Sequence, residues 1–485
     1  MGQGHGHKCQ GHISYDKSLF AIINKIKKSY AVLELTHSEL CSEELLSSPD
    51  HQEIDALETF NSLCLLNGAS IDWLVLDSYE LDDRFRSKFL SCCNSQNLFP
   101  SILSIDDFGR LDTQSDVVVN PSFSQGSELY PNESRARCVQ QYFLGSKYAL
   151  LGQEYKLLAQ LSPPRTSLRR ILIFFGGVDQ ENYSLRALQA CLCPQLQDVG
   201  IDLVLGQQSP HISYFKDFIL KYQNVDLHVD TPSLAGLMIR ADLAIGAIGV
   251  TALERTCLQL PSLFVSTAEN QSNLAIQLKE SSLNQFISLG INFSPDSLRD
   301  DILAFKNKYP LPYSPRLCDG LGCSRLASIV GSPLTLSLRN VGPEDKDLMF
   351  WWVNDQSVRE SSFSRHPISF SDHSQWFDQS LILNNRYIFI ADDEYGCPIG
   401  QIRFDYTSST ATALIDISID RAFRRLGYGL KLIQLGIAQM IKILPSNTVF
   451  CAEILVSNAS STKTFLRAGF ILSKHSEDFN TYVYQ

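Results

Sequence analysis

The chain has no run of about 18 uninterrupted apolar residues, the length a membrane-crossing helix needs, so no membrane span is expected. It also lacks an excess of basic residues: 41 Lys and Arg stand against 52 Asp and Glu, for a net charge of -11. Polynucleotide phosphates are neutralised by basic surface, so nucleic acid is not an expected partner. One small basic pocket for a diphosphate remains compatible with that balance. The 13 cysteines form no paired Cys-x-x-Cys frame. Cys92 and Cys93 adjoin, Cys191/Cys193 and Cys318/Cys323 are wrongly spaced, and Cys64 and Cys257 lie in or beside apolar runs. This usage reads as reduced thiols of a cytoplasmic protein, and no metal site is predicted. The first twelve residues, MGQGHGHKCQGH, have no apolar centre and are not expected to be a signal peptide. No internal repeat is visible.

With 485 residues the chain is too long for a single core, and a prior of about 150 residues per domain suggests roughly three packed units. Short aliphatic or β-branched runs alternate with helical patterns through the first 300 or so positions. The expected strands are Ala31–Leu35, Trp73–Leu76, Ile102–Ile105, Val117–Val119, Ile171–Phe175, Ile201–Leu205, Leu243–Ile245 and Ser262–Val265. Ser18–Lys28 and Leu234–Arg240 are examples of the helices between them. Such alternation predicts parallel sheets covered on both faces, with ligands at the carboxyl ends of the strands. Ser162-Pro163-Pro164-Arg165 interrupts the pattern, and Gly331-Ser332-Pro333 leads into a new strand, Leu334–Leu338. Three domains follow: 1–160, 161–332 and 333–485. The last differs in character, with antiparallel-looking strands at Tyr387–Ala391, Ile399–Phe404 and Ala413–Ile419.

After that last strand comes Arg424-Arg425-Leu426-Gly427-Tyr428-Gly429, then an amphipathic helix from Leu430 to about Leu444. Glycines let the backbone approach an anion, and a helix N-terminus turns its unbonded N–H groups toward it. Arg424 and Arg425 add positive charge for a pyrophosphate. A second signal stands about thirty residues on: Asn458-Ala-Ser-Ser461, Phe465 and Gly469-Phe470. The pair of motifs resembles the GNAT acetyltransferases, over roughly 334–485. Trp352-Val-Asn-Asp355-x-x-Val-Arg359, His373-x-x-Trp376-Phe377 and Pro398-Ile-Gly400 resemble the subgroup that holds the amino-sugar N-acetyltransferase of pseudaminic acid biosynthesis. The resemblance implies acetyl-CoA as co-substrate and direct attack of an amine on its thioester. It assigns polarisation of the carbonyl to the strand around Ile417 and Ile419. It assigns the pyrophosphate to Arg424, Arg425, Leu426, Gly427, Tyr428 and Gly429, and the pantetheine arm to Asn458. Phe465 stands where many members carry the Tyr acid, which leaves coenzyme A to depart as thiolate. His373 and Asp355 are candidate bases.

Further upstream, Ala241–Ile245 reads as a strand, and Gly246-Ala-Ile-Gly249-Val250-Thr251-Ala-Leu-Glu254 as a Gly-rich turn opening a helix. That geometry favours a diphosphate at the helix start, with Glu254 one turn in to reach ribose hydroxyls. Gly176-Gly177-Val178-Asp179 follows another strand, and Glu269-Asn270-Gln271 a third. These motifs, with Asp72-Trp-Leu-Val-Leu-Asp77-Ser-Tyr79, Ile105-Asp106-Asp107, Tyr148-Ala-Leu-Leu151 and Asp319-Gly320-x-Gly322, resemble the GT-B-type UDP-sugar hydrolase of pseudaminic acid biosynthesis, a relative of the MurG-like glycosyltransferases. The resemblance implies a GT-B-like pair of Rossmann-type lobes in front of the GNAT α+β domain, and a UDP-sugar substrate. It implies UDP-sugar contacts from Gly176, Gly177, Asp179, Gly246, Gly249, Val250, Thr251, Glu254 and Glu269, and catalytic roles for Tyr79, Asn270 and a histidine. His5, in Gly2-Gln3-Gly4-His5, and His12, in Gln10-Gly11-His12-Ile13, both fit that histidine, although neither follows the strand the family has there. Ser78 and Gly152 depart from the family's usual His and Arg.

The expected function is therefore bifunctional: N-acetylation of a UDP-linked 4-amino sugar, then hydrolysis to free sugar and UDP. The alternatives are a GT-B glycosyltransferase, or a non-catalytic UDP-sugar-binding module, joined to the same acetyltransferase.

Overall fold

Aliphatic runs four to six residues long are buried on both sides when strands stand side by side in parallel, and this is how the first two sheets form. The computed structural model describes residues 49–64, 71–77, 81–106, 115–122, 141–265, 275–276, 278, 286–289, 292–311, 315–331 and 335–484. The chain divides into two compact units, Met1–Ser146 and Lys147–Gln485.

The first unit holds helix α1 (Pro49–Cys64), strand β1 (Trp73–Leu76), α2 (Asp83–Ser95), β2 (Ser101–Ile105), β3 (Val117–Asn120) and β4 (Gln141–Leu144). The four strands are parallel and lie in chain order. Helix α2 begins where the Asp82 carboxylate accepts the Arg84 amide at 2.9 Å. Its Phe85, Phe89 and Cys93 pack with Ala56 and Phe60 of α1 on Leu74, Leu76 and Ile102. The expected strand Ala31–Leu35 and helix Ser18–Lys28 lie outside the described residues.

The second unit opens with α3 (Gln153–Leu161), β5 (Arg170–Phe174), α4 (Tyr183–Cys191), β6 (Gly200–Leu205), α5 (Ile212–Phe218), β7 (Val225–Val229), α6 (Ala235–Arg240), β8 (Leu243–Ala247), α7 (Val250–Cys257), β9 (Ser262–Val265), β10 (Phe286–Leu289), α8 (Pro295–Lys306) and α9 (Gly322–Gly331). Its six strands are all parallel, in the order β10-β9-β8-β5-β6-β7. Strand order reverses between β5 and β8, so the loops leaving these two strands face each other across a crevice. Alternate residues sort onto the two faces. Ile171, Ile173, Leu203 and Ile245 pack under α4 and α8, and Leu172, Val204, Ala244 and Phe264 under α3, α6 and α7. Tyr155 and Ala159 of α3 are buried in the latter core. That packing places the break between units at Ser146/Lys147, ahead of the boundary expected at 160/161.

The same unit continues into β11 (Leu336–Asn340), α10 (Lys346–Val353), α11 (Gln356–Glu360), α12 (Phe370–Ile382), β12 (Arg386–Asp393), β13 (Pro398–Thr407), β14 (Thr412–Ile419), α13 (Tyr428–Met440), β15 (Val449–Leu455), α14 (Ala459–Arg467), β16 (Ile471–His475) and β17 (Phe479–Tyr484). The sheet order is β11-β12-β13-β14-β15-β17-β16, antiparallel except for the β14–β15 pair. Phe389, Ile402, Phe404, Ile415 and Phe450 face α13 and α14. Ile388 and Ile390 face Leu348, Trp352 and Phe377 on the other side. The expected boundary at 332/333 is a packed junction. The Arg316 amide donates to Asp347 at 3.3 Å, and the Arg316 guanidinium to the Ala159 carbonyl at 2.6 Å. Helix α9 packs against the turn Arg421–Phe423.

Gly246 is a close-approach glycine: a Cβ there would sit 2.0 Å from the Phe174 carbonyl oxygen, whereas one at Gly249 would meet nothing within 4 Å. Gly246→Ala should therefore cost about 2 kcal/mol or more in denaturant unfolding, and Gly249→Ala less than about 1 kcal/mol. Equal costs would contradict this packing.

Candidate functional site

The C-terminal corner is built from a strand that loses its neighbour. Strand β14 pairs with β13 along its whole length, Thr412 to Ile419. Its pairing with β15 stops at Leu414, while β15 goes on beside β17 as far as Leu455. From Ile415 onward the main-chain groups that β14 turns toward β15 have no ladder partner among the described residues, and such groups seek a ligand or water. Ile417 and Ile419 lie half-buried along this opening.

The chain then turns sharply. The Asp420 carboxylate accepts the Ala422 amide at 2.9 Å and starts a 3-10 turn, Arg421–Phe423. Arg425 has φ 65° and Gly427 φ 86°, both left-handed. Gly427 is the N-cap of α13 and has no side-chain cap, so the first amides of the helix stay available to an anion. Arg425, Leu426 and Gly427 are exposed, and nothing lies within 4 Å of where a Gly427 Cβ would stand. A Cβ on Gly429 would touch Thr464 and Ile419 at 3.4 and 3.9 Å, so the loop, α14 and the end of β14 converge. Tyr428 is buried, its ring edge-on to Phe423 at 6.2 Å. Asn458 caps α14 through Oδ1, which accepts the Ser461 amide at 3.1 Å.

Three side chains have other employment than the sequence suggested. The Arg424 guanidinium donates to the Ile419 carbonyl at 2.9 Å and pairs with Asp355 at 3.0 Å, so it ties the loop to α11 and leaves Arg425 as the exposed cation. Burial would raise the Asp355 pKa, but hydrogen bonds from Ser357 and the Arg424 charge hold it below the usual carboxylate value. His373 is buried among Phe350, Trp376 and Phe377, its Nε2–H donates to the Lys346 carbonyl at 2.9 Å, and burial lowers its pKa. Neither group is placed as a base. Phe465 is a core residue, 5.0 Å edge-on from Phe470.

A second corner lies at the crevice between β5 and β8. Gly176 has φ 95°, and Cβ atoms on Gly176, Gly177 or Gly249 would meet nothing within 4 Å. Gly249 opens α7 without a side-chain cap; Val250 is exposed and Thr251 half-buried. The turn is pinned from inside by buried Arg255, which donates to the Thr251 carbonyl at 3.1 Å and the Ala247 carbonyl at 2.5 Å. Tyr155 lies beside Glu254, and the Glu254 Oε2 is buried with no hydrogen-bond partner among the described residues. Burial raises its pKa, only partly offset by Tyr155 and Arg255. A buried carboxylate oxygen of this kind is costly until a donor reaches it. Asp179 serves instead as a helix cap: its two oxygens accept the Tyr183 and Ser184 amides at 2.9 Å. Gly246 packs inside the sheet and faces no ligand space. His5, His12, Tyr79, Glu269 and Asn270 lie outside the described residues.

Sequence reasoning missed Arg255, Tyr155 and Asp420. Arg255 bonds back into its own turn, Tyr155 is buried in the core of the α/β sheet, and Asp420 accepts Trp352 Nε1–H from a distant helix; the packing that gives them these roles leaves no local mark in the chain.

Comparison with known proteins bears on both corners. Residues 335–471 match the family model described as the acetyltransferase (GNAT) domain. The C-terminal part of the chain is a GNAT acetyltransferase domain. A curated relative, the spore coat polysaccharide biosynthesis protein SpsG of Bacillus subtilis, is 26% identical over 229 residues, taking in 46% of this chain and 66% of the relative. That is more of the chain than lies beyond residue 334, so the similarity reaches into the α/β part. Two solved structures are similar to part of the chain. Spermidine N-acetyltransferase from Vibrio cholerae in complex with CoA and spermine is 17% identical, with TM-score 0.29, over 31% of this chain and 94% of that one. An aminoglycoside acetyltransferase in complex with coenzyme A is 18% identical, with TM-score 0.28, over 31% and 94%.

Gly427→Val forces a branched side chain into a left-handed conformation, at roughly 1–2 kcal/mol, in the middle of the loop Arg424–Gly429. Coenzyme A affinity, read by calorimetry, should fall at least about tenfold. Undiminished affinity would remove this loop from the site.

Proposed function

We propose that the chain is a bifunctional nucleotide-sugar enzyme of nonulosonic (pseudaminic) acid biosynthesis. The acetyltransferase domain moves an acetyl group from acetyl-CoA to the amine of a UDP-linked 4-amino-4,6-dideoxy sugar. The α/β part cleaves the resulting UDP-sugar to free sugar and UDP. The observation that carries the first half is the opening between β14 and β15 beside the loop Arg424–Gly429. The likeness to a polysaccharide-biosynthesis protein favours a carbohydrate acceptor.

In the transfer step the coenzyme's pyrophosphate lies on the amides at the start of α13, with Arg425 beside it, and the pantetheine arm runs past Asn458 into the opening. The neutral amine attacks the thioester carbonyl, whose oxygen takes hydrogen bonds from unpaired β14 amides as charge develops on it. The C–S bond breaks, the amine passes its proton to solvent water, and coenzyme A leaves as thiolate. Thiol pKa values of about 8–9 make that departure feasible without an acid at Phe465.

In the hydrolytic step the diphosphate rests at the start of α7, against the Val250 and Thr251 amides, with Gly176 and Gly177 opposite. The buried Oε2 of Glu254 accepts ribose hydroxyls, which supply the missing donor. A histidine, His5 or His12, takes a proton from water; the water oxygen bonds to the anomeric carbon, and the bond to the diphosphate breaks. Tyr79, Glu269 and Asn270 are the further residues that the family resemblance assigns to this reaction. Both reactions suit a cytoplasmic enzyme.

Full-length protein given acetyl-CoA and the UDP-4-amino sugar should release one thiol per sugar and then UDP. Neither product would refute the proposal. UDP release only on addition of an acceptor would make the α/β part a glycosyltransferase, and UDP-sugar binding without release would make it a binding module.

A further inference from the structure

On the face of the C-terminal sheet away from α13, polar side chains stand together along the stretch where β14 has lost its neighbour. Ile402 and Phe404 of β13 and Ile415 of β14 point into the core under α13 and α14. Side chains alternate along a strand, so Gln401, Arg403, Asp416 and Ser418 point the other way. They form two directly opposed pairs, Gln401 with Ser418 and Arg403 with Asp416. Gln401 Nε2–H donates to Asp416 Oδ2 at 3.3 Å, and the Arg403 guanidinium stands 3.6 Å from the same oxygen. The Asp416 side chain is still 51% exposed, and among the described residues no donor reaches its Oδ1. Gln401 is only 6% exposed. Its Oε1 and the Ser418 Oγ are buried with no hydrogen-bond partner among the described residues. Polar atoms in that state are costly until a ligand group or water reaches them.

The second carboxylate on this face, Asp405, is already committed. It pairs with Arg386 at 2.5 Å and Arg403 at 3.0 Å, and both guanidinium groups lie over the Trp376 ring, 5.6 Å from its centre. The segment from α11 to Phe363 spans the mouth of the opening beside β14. Asp355 pairs with Arg424 beyond the end of β14, and the Phe363 ring meets Phe479 edge-on at 5.6 Å, where Phe479 pairs with Leu455 at the end of β15.

We propose that this face is the acceptor site of the acetyltransferase domain, in which Asp416 Oδ1 takes an N–H of the reacting amine while Gln401 and Ser418 take a hydroxyl or N–H of the same molecule. The inference rests on the reading of the opening beside β14 as the place of acetyl transfer. A carboxylate that accepts an N–H leaves the nitrogen lone pair to attack the thioester carbon. One open carboxylate beside neutral acceptors selects a compact molecule with a single amine and nearby donors, which is the build of an amino sugar. A linear polyamine would bring several ammonium groups on an apolar chain. It would leave the Gln401 Oε1 unpaired and set its further charges beside Arg403 and Arg386.

The test gives the full chain acetyl-CoA with either the UDP-4-amino-4,6-dideoxy sugar or spermidine and follows thiol release. Wild type should use the sugar at least about tenfold more efficiently than spermidine. Asp416→Ala should lower kcat/KM for the sugar about tenfold or more, chiefly through KM, with coenzyme A affinity and Tm unchanged. Gln401→Met keeps the volume and removes the unpartnered oxygen, so Tm should hold or rise while kcat/KM falls about fivefold or more. A purely structural Gln401 would show the reverse, a lower Tm with kcat/KM kept. Should Asp416→Ala not fold, Asp416→Ser takes its place. Sugar turnover by Asp416→Ala equal to that of wild type would overturn the inference alone. Preference for spermidine would overturn it together with the amino-sugar reading, and no thiol release from either amine would remove the reading of the opening and this inference with it.

Discussion

Beyond Leu414 strand β14 has a neighbour on one side only, and the main-chain groups facing the other way govern what the C-terminal domain can do. A backbone amide cannot be buried unpaired without cost, so an opened ladder has to be filled by water or by a ligand with matching acceptors. The loop that follows extends the same logic. Left-handed Arg425 and Gly427 and the uncapped start of α13 direct further amides to one place. Around this, the hydrophobic side of the sheet is ordinary: Ile402, Phe404 and Phe450 under α13 and α14 hold β13, β14 and β15 in register up to the point where they part.

The same device recurs at the crevice between β5 and β8. There the strand order reverses and two glycine turns face open space, while Arg255 fixes the carbonyls of its turn from inside. The two corners differ in what backs them. Behind α7 lies Glu254, whose buried Oε2 has no hydrogen-bond partner among the described residues. Behind the loop Arg424–Gly429 lies Asp420, whose bonds turn inward.

Strands whose residues are apolar on both faces were legible as such: Trp73–Leu76 and Ser262–Val265 appear with the expected limits. Strand β7, Val225-Asp-Leu-His-Val229, was not, because it is an edge strand with Asp226 and His228 on its wet face. The glycine corners were legible because backbone geometry restricts the residue type. The fates of Arg424, Asp179, His373 and Asp355 were not. Whether a charged side chain points to a ligand, caps a helix or pairs across the fold depends on tertiary neighbours, such as the Asp355 that meets Arg424 from α11. For the same reason no local signal shows that Tyr155 and Ala159 pack in the core under α3, α6 and α7.

Amide hydrogen exchange with and without coenzyme A tests the central claim most directly. The account predicts slowed exchange over Ile415–Ile419 and Leu426–Leu430, where amides become hydrogen-bonded to the ligand, with little change in β15 over Val449–Cys451, where it is already paired with β14. No protection in these two segments at saturating coenzyme A, or protection confined to other strands, would contradict it.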